Sequence, residues 1–417
     1  MELLYPSVGE LERQGRALVA AAPRVLRLRA VGESRAGRPL WLLSAGHGDR
    51  QILTVAGAHA NEPVGGASVL RLARLFARRP WALDRLGCTW HFLLCLDPDG
   101  AHLAQGWAPE EPEPSLEQCH RHFYRPAFAR QPESLPAPGE KREPLPESAA
   151  LVRLLDELKP VAQFTLHGIE FGGAFAMLTR EVAGAARAIR ETAASLRIPL
   201  DDHPCDGPDW HPDPPGVLLL PADRAGSERD PSGFVAGSTW LYPLRHRTLT
   251  ALIEAPAWAV PAVSDARPAP DPEREVARVG ELLLARTREL TAVLAEGRNT
   301  AVPEDLAPLH DAATELLDVA PSIVDTWAAE EISGSRGHFA TLGIAARRIP
   351  LRIAAMTRRT LAHTDPRTAG ALADLVREWC QELTKTYDPR WVPVSAQTGL
   401  HVRTMIDIAR RVCPEGG

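Results

Sequence analysis

The chain has 417 residues, 45% of them hydrophobic and 24% charged, an ordinary globular composition that excludes disorder and collagen-like repeats. A formal net charge of −6, from 47 basic and 53 acidic residues, leaves no basic excess to draw nucleic acid or an anionic membrane surface. The sequence has no run of 18 apolar residues, so no ordinary membrane-spanning helix is expected.

Glu10–Ala22 carries Leu, Ala and Val at helical spacing and stops before Pro23, which predicts a first helix. Val25–Val31 and Leu40–Ala45 flank the turn Ala36-Gly37-Arg38-Pro39 and read as a hairpin. Gln51–Ala56 is a short β-rich run ending in Gly57, and a helix is predicted from about Gly65 to Arg79. Cys88–Leu96 reads as a buried strand closed by Asp97-Pro98-Asp99-Gly100. Residues 108–150 are crowded with Pro and Glu and predict a long loop or lid, its acidic run at 110–113 a solvated surface. Helix Glu147–Leu158, strand Val161–Leu166, helix Glu181–Leu196, a second long loop over 202–236, strand Leu249–Glu254 and helix Glu273–Leu294 follow. Beyond 300 the pattern is helical: Glu304–Val319, Ile323–Ile332, Phe339–Leu361 with a break or kink at Pro350, Thr368–Thr386 and Gly399–Val412. The alternation predicts an α/β domain over residues 1–298, with a mixed, mainly parallel central sheet and flanking helices, and an all-α domain over 299–417.

The six cysteines form no C-x-x-C pair, which argues against a zinc ribbon or redox dithiol and suits a reducing compartment, so a cytoplasmic location is expected. The opening residues show no basic stretch followed by an apolar one, so no signal peptide is expected.

Three strand ends finish on residues suited to metal or acid–base chemistry, and ligand sites in α/β sheets gather beyond the carboxyl ends of the strands. His59 and Glu62 follow Gln51–Ala56, His167 ends its strand and Glu254 ends another. Two imidazoles and a carboxylate form a standard catalytic zinc set with one position left for water. His59, Glu62 and His167 are therefore the expected ligands of one Zn²⁺ per chain, with Glu254 as the general base.

Several segments together resemble the zinc carboxypeptidases of the carboxypeptidase A-like type: Tyr5-Pro6 before a helix, Val31–Leu40, Gly57–Pro63, Asp97-Pro98-Asp99-Gly100, Phe164–Gly168 and Ala251–Glu254. The resemblance covers roughly residues 5–297 and implies a zinc-dependent amide hydrolase. It also implies a segment that grips a substrate carboxylate, and the nearest match is Gln118–Phe123. Arg121 is kept there, His120 replaces an Asn, and Gln118 replaces the Asp that orients a ligand histidine. No Arg lies between Gly100 and His120, so Arg125 stands as the replacement for a second substrate Arg, or as an exposed loop residue. Tyr242 is the candidate for the family's substrate-facing Tyr, or a buried aromatic with a hydrogen-bonded hydroxyl.

The expected activity is that of a metallocarboxypeptidase acting on a peptide or amino-acid conjugate. The alternative is an N-acyl amino acid deacylase of the succinylglutamate desuccinylase or aspartoacylase type. A third reading is a non-catalytic metal-binding protein whose partner contacts the helical region. Trp107, Trp210 and Trp240 are candidates for the cleft wall or the core. Oligomeric state is not indicated by the sequence.

Overall fold

The structure is a computed structural model that describes residues 4–107, 114–136, 140–205, 211–212, 215–219, 237–297, 301–329 and 334–413. The acidic run at 110–113 and Trp210 lie outside those residues. The strands are β1 (Leu26–Glu33), β2 (Pro39–Ala45), β3 (Arg50–Ala56), β4 (Cys88–Leu93), β5 (Ala162–His167), β6 (Phe171–Gly172), β7 (Phe175–Leu178), β8 (His211–Pro212), β9 (Val217–Leu219), β10 (Leu249–Glu254), β11 (Trp258–Ala259) and β12 (Arg390–Trp391). The helices are α1 (Val8–Ala21), α2 (Val64–Arg78), α3 (Pro80–Asp84), α4 (Pro98–Leu103), α5 (Leu116–His120), α6 (Pro146–Leu158), α7 (Ala185–Ser195), α8 (Pro272–Ala295), α9 (Ala307–Ala329), α10 (Arg336–Leu361), α11 (Pro366–Tyr387) and α12 (Val394–Val412).

Among the described residues, nine strands form one sheet in the order β1-β2-β4-β3-β5-β10-β7-β9-β8. The central run β4-β3-β5-β10 is parallel, while β1, β2 and β7 pair antiparallel at its flanks. This is the expected mixed α/β sheet. Its central strands are buried on both faces, as parallel strands are. One face packs α1, α2, α7 and α12 over Ile52, Trp90, Phe164 and Ala251. The other packs Leu151, Leu154 and Leu155 of α6 on Leu42, Leu53 and Leu93.

The described residues after 300 are mainly helical, as expected, but they occupy two places. Helices α9–α11 pack with α8 around a core that also takes in Phe123, Phe171 and Trp258. Helix α12 instead returns to the sheet layer, where Met405, Ile408 and Ala409 are buried. A small sheet β12-β11-β6 ties Trp391 to Trp258 and Phe171.

Some local expectations change. Asp97-Pro98-Asp99-Gly100 opens α4, with Asp97 Oδ1 accepting from the Gly100 amide at 2.9 Å. The expected loop over 108–150 contains α5, and the expected loop over 202–236 contributes β8 and β9. Residues 304–332, read as two helices, contain the single helix α9, which runs through Pro321, and α10 runs through Pro350.

Candidate metal centre and active site

Strands β3, β5 and β10 are parallel neighbours, so their carboxyl ends reach the same edge of the sheet. Ala56 pairs with Leu166, and Glu254 pairs with His167. Parallel partners in register point their side chains to the same face from strands about 4.8 Å apart. That places Glu254 beside His167, buried at the end of β10.

His59 enters from the turn after β3, and that turn needs a glycine. Gly57 has φ +59°, and a Cβ on it would lie 2.8 Å from Cys95 Sγ. The Glu62 amide then donates to the His59 carbonyl at 3.1 Å, closing a turn that puts both side chains on one side just before α2.

Three donor groups converge. His167 Nδ1 lies 2.8 Å from Glu62 Oε2 and 3.2 Å from His59 Nδ1, and His59 Nδ1 lies 2.9 Å from Glu62 Oε1. All three side chains are buried, and one donor atom from each lies within 4.8 Å of the others. Zinc bonds of about 2.0–2.2 Å to imidazole nitrogen and carboxylate oxygen suit donors packed this closely. Glu62 also collects Arg125, whose Nη1 donates to Oε1 at 3.1 Å, while Nη2 lies 3.3 Å from His59 Nε2. A buried carboxylate that already gathers two imidazoles and a guanidinium is a fitting cation ligand.

The electrostatics follow from burial and these contacts. Burial, then Arg125, push the His59 pKa down. Burial works against protonation of His167, but Glu133 and then Glu62 outweigh it and hold its pKa well above the usual histidine value. Burial would raise Glu62, yet His59 and His167 hold it well below the ordinary carboxylate range.

Glu133 is the residue that sequence reasoning missed. It is fully buried, its Oε2 lies 3.4 Å from His167 Nε2 and 3.6 Å from His59 Nε2, and its Oε1 accepts from Thr165 Oγ1 at 2.6 Å. Burial would raise its pKa, but His167 and His59, with the Thr165 bond, pull it down to about 2. A carboxylate beside the remote nitrogens of the histidines is thus present, supplied from Gln131–Ser134 rather than from the Gln118 position. No sequence signal marks it, because the segment has neither helical nor strand period.

The expected substrate residues fare differently. Arg125 joins the cluster. Arg121 is more than half exposed and donates to Glu117 at 2.9 Å, because α5 buries Leu116, Cys119 and His120 and turns Arg121 outward. His120 is buried, with Nδ1 2.8 Å from the Leu116 carbonyl, its ring stacked on Phe171 and Nε2 3.9 Å from Glu170. Tyr242 donates to Asp156 of α6 at 2.9 Å, under the Arg245 guanidinium. Arg121 and Tyr242 are thus paired with Glu117 and Asp156 and are not brought into the His59–Glu62–His167 cluster. Trp240 meets the His167 ring edge-on at 5.9 Å, and Trp107 packs in the helical core against Phe123 and Trp258. His102 and His122 join no metal-ligand group among the described residues.

The helical region reaches this neighbourhood. Glu170, three residues past His167, accepts from Arg352 of α10, with Nε at 3.0 Å. The family model for zinc carboxypeptidases matches residues 11–170, a span that holds His59, Glu62 and His167. Over that span the chain is similar to the zinc carboxypeptidases.

The matched model describes zinc carboxypeptidases. Solved structures are similar at low identity. A putative metallopeptidase from Shewanella denitrificans is 16% identical, over 60% of this chain and 81% of its own, with a TM-score of 0.42. A metallo-carboxypeptidase from Burkholderia cenocepacia is 15% identical over 59% of this chain and 60% of its own, with a TM-score of 0.38. Bovine thrombin-activatable fibrinolysis inhibitor, in complex with tick carboxypeptidase inhibitor, is 15% identical over 60% of this chain and 86% of its own, with a TM-score of 0.36. No curated protein matches the sequence. The zinc carboxypeptidase match ends before β10, so Glu254 stands on its strand register alone.

Proposed function

We propose that the chain hydrolyses an amide bond in a peptide or amino-acid conjugate, with His59, Glu62 and His167 holding one Zn²⁺ and Glu254 as general base. The observation that carries this reading is the convergence of the three donors beside the strand end where Glu254 pairs with His167. When bound, zinc supplies Lewis-acid polarisation and a lowered water pKa near 7. Glu254 takes a proton from the attacking water and returns it to the leaving nitrogen. Arg125 binds an anionic group of the substrate or the developing oxyanion, since it is the guanidinium that reaches the ligand cluster.

Because Arg121 turns to Glu117, the family's usual anchor for a terminal carboxylate is not in place. That favours the N-acyl amino acid deacylase as the second reading. Assays with a peptide bearing a free C-terminus and with an N-acyl amino acid separate the two. Release of C-terminal residues supports the carboxypeptidase reading, and cleavage of the N-acyl amino acid alone overturns it. In Glu254→Gln, kcat on the preferred substrate is expected to fall by about 100-fold or more with zinc content unchanged. Full activity of that variant refutes the assigned base. We also propose a cytoplasmic location, in keeping with scattered cysteines that form no C-x-x-C pair in the sequence.

A further inference from the structure

We propose that Thr165 and Glu133 act together as positioning residues that fix the tautomer and ring orientation of His167. This rests on the reading of His167 as a metal ligand. Thr165 Oγ1 lies 2.6 Å from Glu133 Oε1 and 2.9 Å from His167 Nε2, and all three side chains are buried. A hydroxyl has one proton. The short contact to Glu133 is that of an O–H donating to a carboxylate, which can only accept. The Thr165 oxygen must then accept from His167, so Nε2 carries a hydrogen. In the neutral imidazole that binds a metal, Nδ1, which faces Glu62 and His59, then carries the lone pair that coordination needs.

Glu133 is well held for this role. Its carbonyl accepts from the Thr239 amide at 2.9 Å, and Ser148 Oγ donates to the neighbouring Pro132 carbonyl at 2.6 Å. Gln131 Nε2 donates to the Pro126 carbonyl at 3.0 Å. A buried segment without regular structure, with its backbone groups caught in this way, keeps its carboxylate in one place. Thr165 sits two residues before His167 on β5, so both side chains point to one face. The logic applies to His167 alone, since His59 Nε2 has Arg125 at 3.3 Å as well as Glu133 at 3.6 Å.

The test is zinc affinity of the full-length protein, measured by competition with a chromophoric chelator, without reference to hydrolysis. Thr165→Val keeps the shape of the buried side chain but loses the hydroxyl, and its zinc affinity is expected to fall about 10–100-fold. Thr165→Ser keeps the hydroxyl and is expected to stay within about threefold of the unaltered protein. Glu133→Gln retains an acceptor but not the charge, and is expected to lose affinity as well. In the zinc-loaded protein, the His167 Nε2 proton should be slow to exchange by nitrogen-resolved NMR, and fast in Thr165→Val. Thr165→Val binding zinc as tightly as Thr165→Ser, with an equally slow proton, overturns the proposal while leaving the ligand set intact. Failure of the unaltered protein to bind zinc overturns the ligand set, and this proposal with it. If Glu133→Gln does not fold, the Val and Ser pair at 165 still decides.

Discussion

At the scale of single residues, environment decides what a side chain can do. Asp97 shows this away from the metal centre. Its carboxyl is buried as the cap of α4, and burial pushes its pKa up to about 7 despite the Gly100 amide and Arg35. An unfolded Asp titrates near 3.9. Between about pH 4 and 7 the folded chain holds a proton that the unfolded chain releases, so stability falls as pH rises through that window. Asp97→Asn removes the titration and keeps an oxygen for the Gly100 amide. We expect it to match the unaltered protein near pH 4 and to exceed it by roughly 1–3 kcal/mol at pH 8 in denaturant titrations. Equal pH profiles would refute the assigned burial cost. His59, Glu62, His167 and Glu254 were legible because each closes or follows a patterned strand. Glu133 was not, because a Glu among prolines reads as solvated until the fold encloses it.

At the scale of elements, the alternation of strands and helices was readable, and the failures cluster at proline and in loops. Pro321 lacks the N–H that would reach the Leu317 carbonyl, which is why the sequence predicted two helices where α9 is one. Tertiary packing of Leu309, Ala312, Ala320 and Trp327 holds α9 together across that gap. Pro321 itself is exposed, so Pro321→Ala restores a backbone hydrogen bond without emptying the core. It is expected to stabilise the protein by about 1 kcal/mol or more, seen as a higher Tm. A lower Tm would mean that the helix depends on the proline's fixed φ. The short strands β6 to β9 escaped prediction because two to four residues carry no measurable period.

At the scale of the whole molecule, the helical region that follows residue 298 packs partly against the sheet layer. Helix α8 packs with α9–α11, and α12 fills a groove on the sheet layer with Val402, Met405 and Ile408. Ser68 of α2 lies 3.0 Å from His401 of α12, and Thr54 of β3 donates to Met405 Sδ at 3.8 Å. Deleting residues 394–417 exposes that apolar face, including several side chains worth about 1.5–3 kcal/mol each. The shortened chain is expected to be insoluble or to unfold without a cooperative transition by calorimetry. A soluble product with an unchanged sheet-layer transition would refute the coupling. The ion pair from Arg352 to Glu170 extends the same dependence to within three residues of His167.

The sequence by itself determined the strand ends, and hence which imidazoles and carboxylates could meet, because strand period and turn residues are local properties. Only the tertiary structure decided which charges share one buried volume: Arg125 inside and Arg121 outside, Glu133 behind His167, and α10 and α12 brought back to the sheet. Those choices depend on contacts between segments distant in the chain, and no local pattern encodes them.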